Sequence, residues 1–207
     1  GDGGLEGTAK IGATGGLGSA APSALEVVQV QGLTWVLVAG AGSSSISVLA
    51  LDDKGGLRLT DHVIDTLDTR FQGISALATA VVGDRVFVFA AGGDQGVQAF
   101  VLMPDGRLVA AGLQLATGAL ALDNVTALEA VVRGGRIELI LGCVGAGVIR
   151  LRYDPGDPAP QITGRSSDDT LAGDARDDLI AGWGGNDSID GGAGEDILFD
   201  GSGADTL

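Results

Sequence analysis

Residues 164–207 read, in blocks of nine, GRSSDDTLA (164–172), GDARDDLIA (173–181), GWGGNDSID (182–190), GGAGEDILF (191–199) and DGSGADTL (200–207). The sixth position of every block is aspartate: Asp169, Asp178, Asp187, Asp196 and Asp205. The eighth is a large aliphatic: Leu171, Ile180, Ile189, Leu198 and Leu207. Glycines gather in the first four positions, among them Gly182, Gly184, Gly185, Gly191, Gly192, Gly194, Gly201 and Gly203, and Asn186 stands directly before its aspartate. A disordered linker has no reason to keep an apolar residue at every ninth place.

This spacing resembles the nonapeptide G-G-x-G-x-D-x-U-x of the RTX (hemolysin-type) calcium-binding repeats, where U is a large apolar residue. The resemblance implies Ca2+ as cofactor and a parallel β-roll as fold. Six residues would make a glycine-bearing turn in which carbonyl oxygens converge beside the aspartate, since glycine takes positive φ at little steric cost. A short strand would follow with U pointing inward, as the two-residue side-chain period requires. Two nonapeptides then make one coil, so that repeats two apart stack on the same edge. Asp169, Asp187 and Asp205 would share one edge, and Asp178 and Asp196 the other. Calcium takes six to eight oxygens in flexible geometry, and stacked turns supply that set at Asp169/Asp187, Asp187/Asp205 and Asp178/Asp196. The first two blocks depart from the pattern. Ser167 and Arg176 replace the fourth-position glycine and Asp174 the second, so the Asp169/Asp187 site ranks last and these blocks read as capping coils.

Eleven acidic residues against Arg165 and Arg176 place a net charge of −9 on this segment. One aliphatic per nine residues offsets neither that repulsion nor the entropy of so many glycines. Metal binding and folding are therefore expected to be one event.

The middle of the chain repeats as well, at an offset of 51 residues. ISVLALDDKGGL (46–57) aligns with VQAFVLMPDGRL (97–108), and VIRLRYDPGDP (148–158) continues the register. SALATAVVGDRVFVFAAG (75–92) aligns with TALEAVVRGGRIELILGC (126–143). The second unit reads as four strands, Ser75–Val82, Arg85–Ala91, Gly96–Leu102 and Arg107–Leu115, with turn chemistry at Gly83-Asp84, Gly92-Gly93-Asp94 and Pro104-Asp105-Gly106. Four strands every 40–50 residues mark β-propeller blades, and the blade rhythm is similar to that of lactonase-type propellers. A closed propeller has about four to eight blades, so three units predict an incomplete one. The fold class is thus all-β: propeller-like four-stranded antiparallel units, then a parallel roll. Residues 1–24 read as a Gly/Ala-rich linker, 25–157 as the propeller-like domain of three units, and 158–207 as the roll.

A net charge of −15 argues against nucleic acid as partner. No apolar run is as long as a transmembrane span requires, and no basic-then-apolar start marks a cleaved leader. The start at Gly1 and the stop one residue short of a full nonapeptide suggest a fragment. Cys143 is the sole cysteine, and its apolar run predicts a buried thiol. His62 is the sole histidine, expected to be solvated or capping. No Ser-His-Asp, H-E-x-x-H or zinc-type spacing is present, so no catalytic residue is assigned. Trp35 is expected in the core and Trp183 exposed on a turn.

Together these readings describe a secreted, extracellular bacterial protein. The resemblance implies export by type I secretion, with the roll unfolded at the low calcium of the cell interior and folded at the millimolar calcium outside. Extracellular calcium modules bind at roughly 10⁻⁴–10⁻³ M. The propeller-like part would be an interaction or adhesion platform for a cell-surface or extracellular ligand. The alternative is a secreted lactonase-like enzyme that carries the repeats as an export module.

Overall fold

In the β-forming part of the chain, apolar runs rich in valine, leucine and alanine are cut at short intervals by turn residues, and each run becomes one strand of an antiparallel meander. A computed structural model describes residues 7, 9–12, 15–117 and 120–207. Part of the 1–24 linker reading therefore falls outside the described residues. Two units are present. One holds the described residues of Gly1–Ala80 with Val86–Arg133 and Ile137–Arg152; the other holds Val81–Arg85, Gly134–Arg136 and Tyr153–Leu207.

The first unit contains three sheets. Strands β1 (Pro22–Val30), β2 (Leu33–Gly40), β3 (Ser45–Leu51) and β4 (Leu57–Ile64) form the first, in the order β1-β2-β3-β4. Strands β5 (Ala76–Val82), β6 (Arg85–Ala91), β7 (Gly96–Leu102) and β8 (Leu108–Leu115) form the second in the same order. Strands β9 (Val125–Arg133), β10 (Arg136–Cys143) and β11 (Gly147–Tyr153) form the third, ordered β11-β10-β9. The repeat offset is visible in the strand starts: Ser45 and Gly96, Leu57 and Leu108, Arg85 and Arg136. It extends to an irregularity. The β3–β4 register slips between Val48 and Leu49, and the β7–β8 register slips at the equivalent place, between Ala99 and Phe100. The extra residue of the first bulge, Thr60, lends its hydroxyl to the carbonyls of Val48 and Gly106. A bulge bends a strand and raises its twist, so both sheets are bent at the same place.

One face of the first sheet (Val28, Trp35, Leu37, Ile46, Val48) meets Phe71, Leu77, Val86, Val88 and Phe100 in a shared core. Phe71 meets Phe100 edge to face at 5.8 Å between ring centroids. The opposite face, Val36, Val38 and Leu49, is covered by Ile11 and Leu17 from the N-terminal segment. Cys143 is buried as a small apolar side chain, and that burial raises its thiol pKa. His62, expected to be solvated or capping, is half-buried with its imidazole engaged. Its Nδ1 lies 2.8 Å from the Ser47 hydroxyl, which in turn lies 2.9 Å from the Ser19 hydroxyl. Ser47 is fully buried, so its hydroxyl needs a partner, and the only imidazole supplies one.

The turn between β1 and β2 is Gln31-Gly32, with φ of +50° and +77°, the double positive φ of a type I′ hairpin turn. A methyl group at Gly32 would touch nothing within 4 Å. Gly32→Ala is therefore expected to cost only the left-handed backbone penalty, about 1 kcal/mol. Chemical denaturation followed by tryptophan fluorescence at Trp35 measures this, and no change would mean that the turn relaxes to another type.

The third sheet has three strands where its siblings have four. The repeat offset would place its fourth strand at 159–166. There the chain instead enters β12 (Ile162–Thr163), the first strand of the second unit. The four-stranded expectation thus holds for two units, and the third yields its last strand to the roll. Among the described residues no helix is long and apolar enough to cross a membrane.

Candidate metal centre

In the roll, three-residue strands hold the repeated aliphatics and six-residue turns lie between them. Strands β13 (Thr170–Ala172), β14 (Leu179–Ala181), β15 (Ser188–Asp190) and β16 (Ile197–Phe199) follow β12. They pair in parallel as two sheets, β12-β14-β16 and β13-β15. Ile162 lies opposite Ile180, Ile180 opposite Leu198, and Leu171 opposite Ile189, so every partner stands two nonapeptides along the chain. Two nonapeptides make one coil. Ile180 and Ile189 are buried and form the narrow core. Ile162 extends the aliphatic ladder one repeat upstream of Gly164, a step legible in its spacing of nine from Leu171 but masked by Pro160 at the aspartate position.

The parallel register brings the sixth-position aspartates into two rows. The Asp169 amide donates to Asp187 Oδ1 at 2.9 Å, and the Asp187 amide to Asp205 Oδ1 at 2.7 Å. On the other edge the Asp178 amide donates to Asp196 Oδ1 at 2.9 Å. One oxygen of each later aspartate therefore holds the coil before it. The other oxygen turns to the first residue of its own block. A methyl built on Gly191 would lie 2.5 Å from Asp196 Oδ2, and one on Gly173 2.6 Å from Asp178 Oδ2. A methyl on Gly182 would lie 2.6 Å from the Asp200 carbonyl oxygen, and one on Gly164 2.7 Å from that of Gly182. Carboxylate and stacked carbonyls thus converge on the space that the missing side chains leave.

The second and fourth positions separate the turns into two kinds. Gly185, Gly192, Gly194, Gly201 and Gly203 all have φ between +87° and +149°. Trp183, at a second position, is forced to +77° without being glycine. It is exposed and meets Phe199 edge to face at 6.3 Å. In the first two blocks, residues 165, 167, 174 and 176 are not left-handed, as their side chains require. Their second-position amides point inward instead: Arg165 N donates to Asp169 Oδ2 at 2.7 Å and Asp174 N to Asp178 Oδ2 at 2.9 Å. In the later turns the equivalent amides turn away, Gly192 N to Asp190 and Gly201 N to Asp200. Asp187 Oδ2 is buried with no hydrogen-bond donor, and Asp187 as a whole is 2% exposed. A buried carboxylate oxygen without a donor is costly. A cation removes that cost, and nearby carbonyls are the hard oxygen donors that calcium takes.

Among the described residues no three His, Cys, Asp or Glu side chains cluster. The cradle is built from backbone carbonyls with one carboxylate per turn, a composition that suits calcium and not zinc. Arg176 does not stand free beside it: its Nη2 pairs with Asp174 Oδ2 at 2.7 Å, which holds the Asp174 carboxyl down to about 2.

Residues 163–198 and 191–207 match the model of the RTX calcium-binding nonapeptide repeat. Residues 163–207 are RTX calcium-binding repeats. The RTX nonapeptide family binds Ca2+, and its repeats are typical of secreted bacterial proteins. No curated protein matches the chain. In this RTX roll the glycines at second and fourth positions of the later turns are places where the preceding coil leaves no room for a side chain. A side chain at Gly192, Gly194, Gly201 or Gly203 would meet the carbonyl of Asp174, Arg176, Trp183 or Gly185 respectively, in each case the equivalent residue of the coil before.

Proposed function

We propose that the RTX roll binds calcium through Asp187, Asp196 and Asp205 together with the carbonyls of the turns at Gly182–Asn186, Gly191–Gly194 and Gly201–Gly203, and that this binding folds it outside the cell. The observation that carries the reading is the buried, donorless Oδ2 of Asp187 beside stacked carbonyls. Asp169 and Asp178 join the two rows through the Oδ1 bonds of their partners. The chain's acidity keeps the roll extended where calcium is scarce, which suits passage through type I secretion, and the calcium of the medium closes it.

The three-sheet unit is read as propeller blades that serve as an interaction platform. The repeat of strands and bulge supports blades. A cleft of about 530 Å³ lies among Ala24, Leu77, Thr126, Glu129, Leu141 and Val148, which suits an extracellular ligand. His62 is engaged with Ser47, and Asp65 accepts from Thr69 and Phe71 within its own loop. These bonds favour a platform over a lactonase-like enzyme.

Isothermal titration of the full chain with calcium tests the metal reading. Saturable heat in the millimolar range or below is expected, and magnesium should give little, because it demands tight octahedral geometry and sheds water reluctantly. Absence of calcium heat would overturn it.

A further inference from the structure

The roll is sealed at its start by bonds that need no metal. We propose that residues 155–181 form a calcium-independent cap, clasped by Asp177, on which residues 182–207 wind when calcium binds. The proposal rests on the calcium reading and divides the roll into two parts that the reading alone treats as one.

Three sets of bonds carry it. The carboxylates of Asp169 and Asp178 are closed by the amides of Arg165 and Asp174 in their own turns, so their Oδ2 atoms already have partners. Residues 155–163 then form a further half-coil that has Pro160 where its followers have aspartate. That half-coil is tied to Asp177 on both sides: Ala159 N donates to the Asp177 carbonyl at 3.1 Å and Asp177 N to the Asp157 carbonyl at 3.2 Å. The Asp177 carboxylate completes the clasp. Its Oδ2 accepts from Asp157 N and its Oδ1 from Glu195 N, both at 3.0 Å.

Fifth-position side chains form this second ladder, distinct from the sixth-position one. Asp168 Oδ1 accepts from the Asn186 amide at 2.7 Å, and Asn186 Oδ1 from the Ala204 amide at 2.9 Å. Asp168 and Asn186 reach forward to the next coil and Asp177 both ways, whereas Asp187, Asp196 and Asp205 reach back. Of these side-chain bonds only that between Asp157 and Asp177 lies within 155–181; the bonds to Asn186, Glu195 and Ala204 form as the later turns stack. Asp168 and Asp177 thus offer, one on each edge, the acceptors that set the register in which the later turns stack. They act as positioning residues.

Hydrogen exchange followed by mass spectrometry on the full chain tests the division. In EDTA, peptides from 155–181 should stay protected at the β12–β14 pairing and the Asp177 clasp while those from 182–207 exchange; calcium should add protection to 182–207 and to the Asp169, Gly173 and Asp178 amides whose acceptors lie there. Exchange of 155–207 as one block in EDTA, with protection gained as one block, would overturn the cap while leaving calcium binding intact. Full protection of both segments in EDTA would overturn the calcium reading and the cap with it. Asp177→Ala should raise the calcium midpoint for protection of 182–207 roughly tenfold, since two hydrogen bonds to a charged acceptor are lost and both are open to competing water. Asp177→Asn keeps one acceptor oxygen and should fall between wild type and Asp177→Ala. Equal midpoints for the two variants would make the charge, and not the bonds, responsible, and the clasp would be refuted.

Discussion

Chelating calcium from the full chain is expected to abolish the β structure of residues 182–207 while strands β1–β11 stay folded. The turn at Gly182 brings the buried Asp187 Oδ2 and the Asp200 carbonyl oxygen toward the same space, where like charges repel. Their core is a single aliphatic per block, of which Ile189 is buried and Leu207 is 63% exposed. The sheets of the first unit have an apolar core of their own, with Phe71, Val88 and Leu37 fully buried. Calcium at a hundredfold excess over its dissociation constant contributes about 2.7 kcal/mol per site. Whole domains are stable by only about 5–15 kcal/mol, so a contribution of that size decides whether so thin a core holds. Far-UV circular dichroism in EDTA and in calcium reads the change, with magnesium as the control. An identical spectrum in EDTA and in calcium would show that the roll folds without metal.

Asp187→Ala should raise the calcium midpoint more than Asp169→Ala does. Asp187 has two duties: its Oδ1 holds the Asp169 amide, and its Oδ2 is the buried oxygen without a donor. It also sits between neighbours on its edge, since its own amide is held by Asp205. Truncation leaves the ion short of a ligand and an amide without its acceptor, a loss on the order of tenfold or about 1.4 kcal/mol in calcium affinity. Asp169 Oδ2 is already closed by Arg165 N, so its loss removes no free ligand oxygen. The two titrations must be run at one ionic strength, because salt screens the remaining carboxylates. Equal midpoints would mean that the free oxygen of Asp187 does not face the ion.

The roll was legible in the sequence because its two requirements fall on single residue types. An inward aliphatic and a close-approach glycine recur at fixed places, and the parallel register of two nonapeptides follows from them. The sheets were legible for a related reason: Gly83-Asp84 and Gly134-Gly135 stand at the hairpin turns where strand-forming runs end. Three things were not legible. The additional half-coil at 155–163 carries prolines where aspartate and glycine stand elsewhere, and its pairing rests on backbone bonds to Asp177 and on β14. The role of the fifth position is carried by Asp168, Asp177 and Asn186, residues that as types suit any exposed turn. The place of His62 depended on Ser47 and Ser19 approaching from other parts of the chain, which no local pattern encodes.

The parallel pairing of every second nonapeptide also fixes how much length the roll takes up. Two nonapeptides drawn out span roughly 60 Å, whereas neighbouring strands of a sheet stand only about 4.8 Å apart. Each coil that closes therefore reels in most of its contour and advances the roll by a single strand spacing. A chain emerging through a narrow passage into calcium would shorten on the far side by more than tenfold, and the closed coil would be too wide to slip back. In such a passage winding would convert a difference in ion concentration into directed displacement of the chain.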